Sequence, residues 1–431
     1  MSELTGTVLA ALAGVSLSAL LISLAVSIPW VLCLAAIVLV RREGVPVIYN
    51  LRSLLKRRLT TSVTLVGLVL VTFVLTSALM LAGGMQRTMA STGDPLVLKV
   101  LQGGNPNELT SHISVEQAQL LAAAPEAAVD AKGTPLASAE LVVPVLVPRA
   151  NAQSESASLL VRGVSEMAFK VHPEPRIQGR MFAGGADEII IGRSLLGRFK
   201  GAELGGTMAL GGRPWAVVGI ADHGGTAYDS ELWGDFHQIS AAFRRTQTVV
   251  NVAAKDADAL QALMARMDSD PTLNRLDAYR ETAYWTGLSG RHVRFVTLLG
   301  IVVATLFSFG AILGAMNTMY AQVAARSREV GTLRSLGFKP RAILTSLVLE
   351  SALLALVSGA IGVALSALLL DGVQFHLTTQ EIQNETSYGF HLAPSTALGC
   401  LMFSCLMGYA GGLLPALRAA RMPLVNAMRA D

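Results

Sequence analysis

The residues with most scope for chemistry stand in one polar stretch between two apolar runs, Ser327 to Leu344, SREVGTLRSLGFKPRAIL. Arg326, Arg328, Glu329, Arg334, Lys339 and Arg341 crowd into it or flank it. A connection that only had to turn the chain could be shorter and less charged, so the stretch reads as something a partner grips. Catalytic alternatives find little support. No G-x-x-x-x-G-K-[ST] loop occurs, and GRPWAVVG and GAELGG lack the lysine that reaches a nucleotide's phosphates. No G-x-S-x-G elbow is present. His112, His172, His223 and His237 have neither an i,i+4 partner nor carboxylate-rich neighbours in sequence, so no metal centre is expected of them. Cys33, Cys400 and Cys405 all fall inside apolar runs and read as small buried hydrophobes. No cofactor is expected, and the chain reads as non-catalytic. Glu350 lies within an apolar run, where an ionisable group is a functional candidate by default. A basic residue from the Arg341 end of that run could neutralise it. In AYDSELWGDFHQ, residues 227–238, aromatic and acidic side chains alternate; a turn over a domain core is favoured there over a partner contact.

The elements that position these residues follow from composition. The 431 residues are 52% hydrophobic and only 15% charged, against roughly 25% charged in soluble domains. Much of the chain therefore belongs in a lipid bilayer. About 20 apolar residues cross its core, and Leu59–Gly83, Phe295–Val323, Ile343–Leu370 and Pro394–Leu417 each suffice. Basic flanks mark the cytoplasmic side. They place 41–58, 324–342 and the C-terminus inside, with 84–290 and 371–393 outside. The net charge of +4 is spread along span flanks rather than over one folded face, so nucleic acid is not an expected partner. A fifth uncharged run, Leu4–Val40, is long for one upright helix and barely long enough for two. One tilted, kinked span with its N-terminus outside is favoured over a hairpin. In VPVIYNLRSLLKRRL, apolar residues at helical spacing alternate with Arg52, Lys56 and Arg57, as suits a helix lying in the cytoplasmic interface.

The outside segment alternates strand and helix signals. DPLVLKVL, AELVVPVLV, ASLLVRGV, DEIIIG and TVVNVAA are short runs rich in β-branched residues. MALGGRPWAVVGI reads as a hairpin turning at Gly211–Gly212. Ser114 and Gln117 have capping-box spacing, and DADALQALMARM is periodic as a helix. An α+β domain follows, of one or two lobes, folding without disulfides.

Three passages resemble the FtsX/MacB/LolC-type permeases of ABC transporters. NTMYAQVAARSREVGTLRSLGFKPRAILTSLVLES, Asn317–Ser351, is similar to that family's R-E-x-G-x-L-R-x-L-G segment leading into a span. GLLPALRAARMPLVNAMRAD is similar to its C-terminal ending. LLVRGV, IQGRMF, DEIIIGRSLLGRF and RPWAVVGIAD follow the order of its extracytoplasmic domain. The resemblance implies an α-helical transmembrane bundle of four core spans plus an extra N-terminal one, with a large α+β extracytoplasmic domain. The implied divisions are an extra segment at 1–42, an interfacial helix at 43–58, a span at 59–83, a MacB-like domain at 84–290 and an FtsX-like permease domain at 291–431. It further implies a bacterial inner-membrane protein, working as a permease homodimer or a paired heterodimer with two separate ABC ATPase subunits, and with a periplasmic adaptor of the membrane-fusion type in export or efflux. The segment 324–342 becomes the coupling segment, with Arg328, Glu329, Gly331, Arg334, Leu336, Gly337 and Lys339 as its contact residues. Physically, Arg328, Arg334 and Lys339 on one polar helix face can lock into a groove by charge-assisted contacts, and Gly331 and Gly337 permit close approach and a sharp exit. Lipoprotein release and control of cell-wall hydrolases are the alternatives within the family. A membrane-anchored ligand sensor is the alternative outside it, though no cytoplasmic segment is long enough for an output domain.

Overall fold

The computed structural model describes residues 58–104, 107–150, 155–172, 174–378 and 385–422. The expected span within 1–42 and residues 43–57 of the expected interfacial helix lie outside them. The chain opens with α1 (Arg58–Ala90), β1 (Val97–Gln102), α2 (Val115–Ala122), β2 (Ala137–Pro148) and β3 (Ser156–Val164). Then come α3 (Ala168–Val171), β4 (Arg176–Gly179), β5 (Glu188–Gly192), β6 (Thr207–Leu210), β7 (Arg213–Asp222) and β8 (Glu231–Asp235). They are followed by α4 (Phe236–Phe243), β9 (Val249–Ala253), α5 (Ala257–Ser269), β10 (Leu276–Arg280), α6 (Glu281–Ala325) and α7 (Ser327–Ser335). The last elements are α8 (Pro340–Leu370), β11 (Gln374–Thr378), β12 (Glu385–Gly389) and α9 (Pro394–Arg421). Among the described residues, 58–80, 295–371 and 391–422 form a helical unit, and 81–294 with 372–390 form a sheet unit.

Four helices are long and apolar enough to cross a membrane: Ser62–Ala90, Glu281–Ala325, Pro340–Leu370 and Pro394–Arg421. Two run well beyond their apolar stretches, α1 past Gly83 to Ala90 and α6 back from Phe295 to Glu281. Hydropathy reports the thickness of lipid to be crossed. A polar extension without proline continues the same helix with no change in hydropathy to announce it.

Within the helical unit, small residues set how closely the helices approach. A Cβ on Gly408 would lie 2.3 Å from the Cβ of Ala355, and one on Gly359 would lie 2.7 Å from that of Ser404, so α8 and α9 meet almost backbone to backbone. Gly412 reaches Ser351 in the same seam, and Gly362 abuts Thr72 and the Val69 carbonyl of α1. The Ser404 hydroxyl donates to the Ala355 carbonyl at 2.6 Å across it. Gly310 and Gly314 of α6 behave differently. Nothing lies within 4 Å of a Cβ at either, on a helix whose apolar window is only 17% buried.

The sheet unit is built on ten strands in the order β10-β1-β9-β2-β3-β8-β5-β7-β4, with β6 paired to β7. Strand β2 joins two lobes. Its first residues, Ala137–Glu140, pair with β9, and Leu141–Pro148 pair with β3. One apolar core gathers Leu98, Val100, Val250 and Val252 under α2 and α5. The other gathers Leu159, Val161, Ile189, Ile191, Trp215 and Leu232. The turn at Gly211 and Gly212 connects β6 to β7 as a two-residue hairpin, both glycines having positive φ as such a turn demands. Ser114 caps α2 in a complete capping box with Gln117. The unexpected member is the β11–β12 hairpin, which arises in the connection between α8 and α9 yet belongs to the sheet unit.

Candidate functional site

The polar segment that follows α6 folds as the short helix α7. Its inner side is fastened. Val330 is buried among Met319, Val323, Ile343 and Leu347, and Gly331 is buried beside it. The Arg334 guanidinium turns back to donate to the carbonyl of Met422 beyond α9. Arg326, just ahead of α7, lies 3.1 Å from the carboxylate of Glu350, which is 2% exposed. Arg326, across the connection, is thus one cation facing Glu350, while Arg341 stays on the surface. The outer side of the segment presents Arg328, Glu329, Thr332, Ser335 and Lys339 to solvent, with Leu336 72% exposed among them.

A left-handed residue ends the helix. Gly337 adopts φ 96°; its N–H donates to the Arg334 carbonyl and that of Phe338 to the Leu333 carbonyl, both at 3.1 Å. This 5→2 and 6→1 pair is the Schellman closure, for which glycine is the natural residue. Pro340 then opens α8. Of the residues expected to make partner contacts, Arg328, Glu329, Leu336, Gly337 and Lys339 lie exposed together. Gly331 is buried, and Arg334 is half-buried with its guanidinium on the Met422 carbonyl.

A second constellation lies in the sheet unit and was not expected. Side chains alternate across a strand, so with Leu98 and Val100 in an apolar core, Lys99 faces the other way. On that other face Arg162 is wholly buried and ringed by carboxylates: Glu231 at 2.7 Å, Glu140 at 2.8 Å and Glu108 at 2.9 Å. Lys99 pairs with Glu108 and lies 3.9 Å from Glu281. His172 lies 2.7 Å from Glu140 and 3.5 Å from Glu281, and the Tyr228 hydroxyl donates to Glu281 at 2.6 Å. Aromatic rings cover the group, with Tyr228 and Trp233 against Arg162 and with Tyr284 and Trp285 against Lys99. The stretch 227–238 is thus a turn and strand over this buried face, Tyr228, Asp229, Glu231 and Trp233 all being interior.

Burial alone would neutralise these groups, and their mutual attraction overrides it. Burial pushes the His172 imidazolium down, but Glu140 and then Glu281 raise its pKa to about 9. Burial pushes Glu281 up, and His172, Lys99 and Tyr228 bring it to about 2. Glu108 is lowered by Arg162 and Lys99, and Glu140 by His172 and Arg162, in each case against burial. His172, which has no carboxylate-rich surroundings in sequence, has them in space. A signal did exist: Lys99, Glu140 and Arg162 each interrupt a run of apolar residues within a strand.

The β11–β12 hairpin is held by the same kind of contact. Glu385 receives Arg149 at 2.5 Å and also Arg198, and the N–H of Ser387 donates to Ser230 Oγ at 3.0 Å.

The FtsX-like permease C-terminal family matches residues 301–424, and the MacB-like periplasmic core domain matches residues 61–270. The chain belongs to the FtsX/MacB-type ABC transporter permeases. The permease is 28% identical over 297 residues to an Aeromonas hydrophila protein named macrolide export ATP-binding/permease protein MacB 1, covering 63% of this chain and 43% of that one. It is 24% identical over 300 residues to the Bacillus subtilis ABC transporter permease YknZ, covering 65% and 72%. The matched region therefore spans less than half the length of the MacB relative. Among solved structures, the periplasmic region of MacB from Actinobacillus actinomycetemcomitans aligns over 48% of this chain and 97% of its own, at 13% identity and a TM-score of 0.34.

Proposed function

We propose that this permease couples ATP hydrolysis on a separate ABC ATPase subunit to movement of its extracytoplasmic domain, driving export. The supporting observation is the two-sidedness of α7. Its inner residues fasten it to α6, α8 and the chain beyond α9, while Arg328, Glu329, Leu336 and Lys339 project outward. A helix so held can pass a push from a docked ATPase to the spans, which a solvated loop cannot. In this reading the segment 324–342 faces the cytoplasm of a bacterial inner membrane and the sheet unit lies in the periplasm, consistent with Arg326–Arg341 and Arg418–Arg421 flanking spans on one side. A second copy packs against the weakly covered apolar face of α6, and a periplasmic adaptor engages the sheet unit. Export as the direction of work is supported by the names of the MacB relatives.

The decisive experiment is co-purification of the ABC ATPase with wild type, Glu329→Lys and Lys339→Glu. The two variants should lose the ATPase, or retain it without coupled transport, while keeping the melting temperature of the wild type. Normal association and transport in both would reduce α7 to a linker.

A further inference from the structure

One contact exceeds what the fold requires, where α1 ends and α6 begins. A Cβ on Gly93 would lie 2.7 Å from the backbone carbon of Glu281 and 2.7 Å from the backbone nitrogen of Thr282, so the two chains touch backbone to backbone. One residue on, the Asp94 N–H donates to Glu281 Oε2 at 3.0 Å. The other oxygen of Glu281 takes the Tyr228 hydroxyl at 2.6 Å and faces His172 and Lys99 at 3.5 Å and 3.9 Å. Thr92, also buried, accepts the N–H of Ala227 at 2.8 Å while donating to Thr88 within the last turn before Ala90. Starting a helix needs only a small polar residue at its surface. Burying a charged glutamate there is costly unless several partners repay it, and Glu281 has them from β1, the segment after α3, the turn before β8 and the chain after α1.

We propose that Gly93 and Glu281 form a joint that clamps the sheet-unit ends of α1 and α6 to each other and to the buried ion cluster, so that these two helices act on the domain as a single strut. The inference rests on the reading of the chain as a motion-transmitting permease for its purpose, though not for its existence. Gly93 and Glu281 are positioning residues: one sets the distance, the other ties the charge. The remaining cluster, Arg162 with Glu108, Glu140 and Glu231, seats the joint at the centre of the sheet, where β2 joins the two lobes.

The test uses the full-length chain in lipid nanodiscs and reads amide hydrogen exchange by mass spectrometry. Gly93→Ala forces the two backbones apart without touching a charge, and Glu281→Gln keeps the shape while removing the charge. Gly287→Ala is the control, since nothing lies within 4 Å of a Cβ there. Both test variants should speed exchange about tenfold or more at residues 88–94 and 281–286, with β3 and β8 as protected as in wild type and Gly287→Ala unchanged. If Gly93→Ala fails to fold, Glu281→Gln decides alone. Wild-type exchange at both helix ends, or loss of protection across the whole sheet, would overturn the joint. A second readout is transport-coupled turnover with the ATPase that co-purifies with wild type. It should fall about tenfold or more in both variants while ATPase binding persists. Undiminished turnover in a loosened joint would overturn its role in transmission. Failure of wild type to bind any ATPase would instead strike the functional reading, leaving the exchange result to decide the joint.

Discussion

Replacing Arg162 with methionine should destabilise the sheet unit more than any other single charge removal in it. Arg162 is fully buried and contacts three carboxylates within 2.9 Å. Methionine fills much of the same space, so the loss is electrostatic rather than a cavity. Lys99 still pairs with Glu108 and His172 with Glu140, but Glu231 has Arg162 as its only ion-pair partner among the described residues and is 1% exposed. Breaking a buried pair by removing one partner costs about 3–5 kcal/mol. For a domain of this size that lowers the melting temperature by about 6–20 °C. Intrinsic fluorescence is a suitable assay, because Trp215, Trp233 and Trp285 all lie buried in the sheet unit and Trp233 stands 5.8 Å from the Arg162 guanidinium. The comparison is Arg180→Met, which removes a partner of Glu188 at an exposed site. Water already screens that pair, so its melting should stay close to wild type. If Arg162→Met melts with wild type, or if Arg180→Met falls as far, the claim that burial gives the cluster its energy is refuted.

His172 predicts an alkaline sensitivity. Its pKa rises from 6.5 to about 9 on folding, so the charged form contributes in full below 6.5 and the contribution fades as pH climbs through about 9. The shift corresponds to about 3 kcal/mol, and His172→Gln should be less stable at pH 7 and show a flatter decline towards pH 10; a parallel decline in both proteins would disprove the assignment. Glu385→Gln should release the β11–β12 hairpin, seen as faster amide exchange at 374–378 and 385–389 with the ten-stranded sheet unaffected; unchanged exchange would mean the arginines do not hold it. In a cysteine-free background, an impermeant thiol reagent should label Lys132→Cys in intact spheroplasts and Ser335→Cys only after permeabilisation. Labelling of Ser335→Cys from outside would invert the proposed orientation.

The four long apolar helices were legible because a bilayer imposes a length of apolar sequence, and the strands because β-branched runs such as DEIIIG stand between glycines and acids. Helix ends were not legible. The turn from Gln86 to Ala90 and the run from Glu281 to Arg294 are polar, and polar helix looks like polar loop to any hydropathy reading. The ion cluster was legible only in fragments. Lys99, Glu140 and Arg162 each break a run of apolar residues within a strand, but which carboxylate meets which cation depends on β2 pairing with β9 at one end and β3 at the other. No local pattern encodes that switch. The hairpin after α8 was hidden for a related reason: Glu385 sits in a short connection, and its arginines come from far upstream in the chain.

The two groups of charged residues differ in a way that bears on function. In the sheet unit, Arg162, Lys99 and His172 face Glu108, Glu140, Glu231 and Glu281 inside the fold. Such a cluster completes itself; a partner would gain nothing from it without unfolding the domain, so its work is internal alignment. Around α7 the division runs the other way. Arg326 and Arg334 are turned inward to Glu350 and the Met422 carbonyl, whereas Arg328, Glu329 and Lys339 stand at the surface beside an apolar Leu336 that is 72% exposed. Solubility does not explain a leucine held out among charges at the rigid end of a helix closed by a Schellman turn. Docking into a groove of the proposed ATPase partner would explain it, since the leucine gains burial there. The surface to disrupt in search of the ATPase contact is therefore the outer face of α7 from Arg328 to Lys339, with Leu336→Asp the single change that should weaken it most.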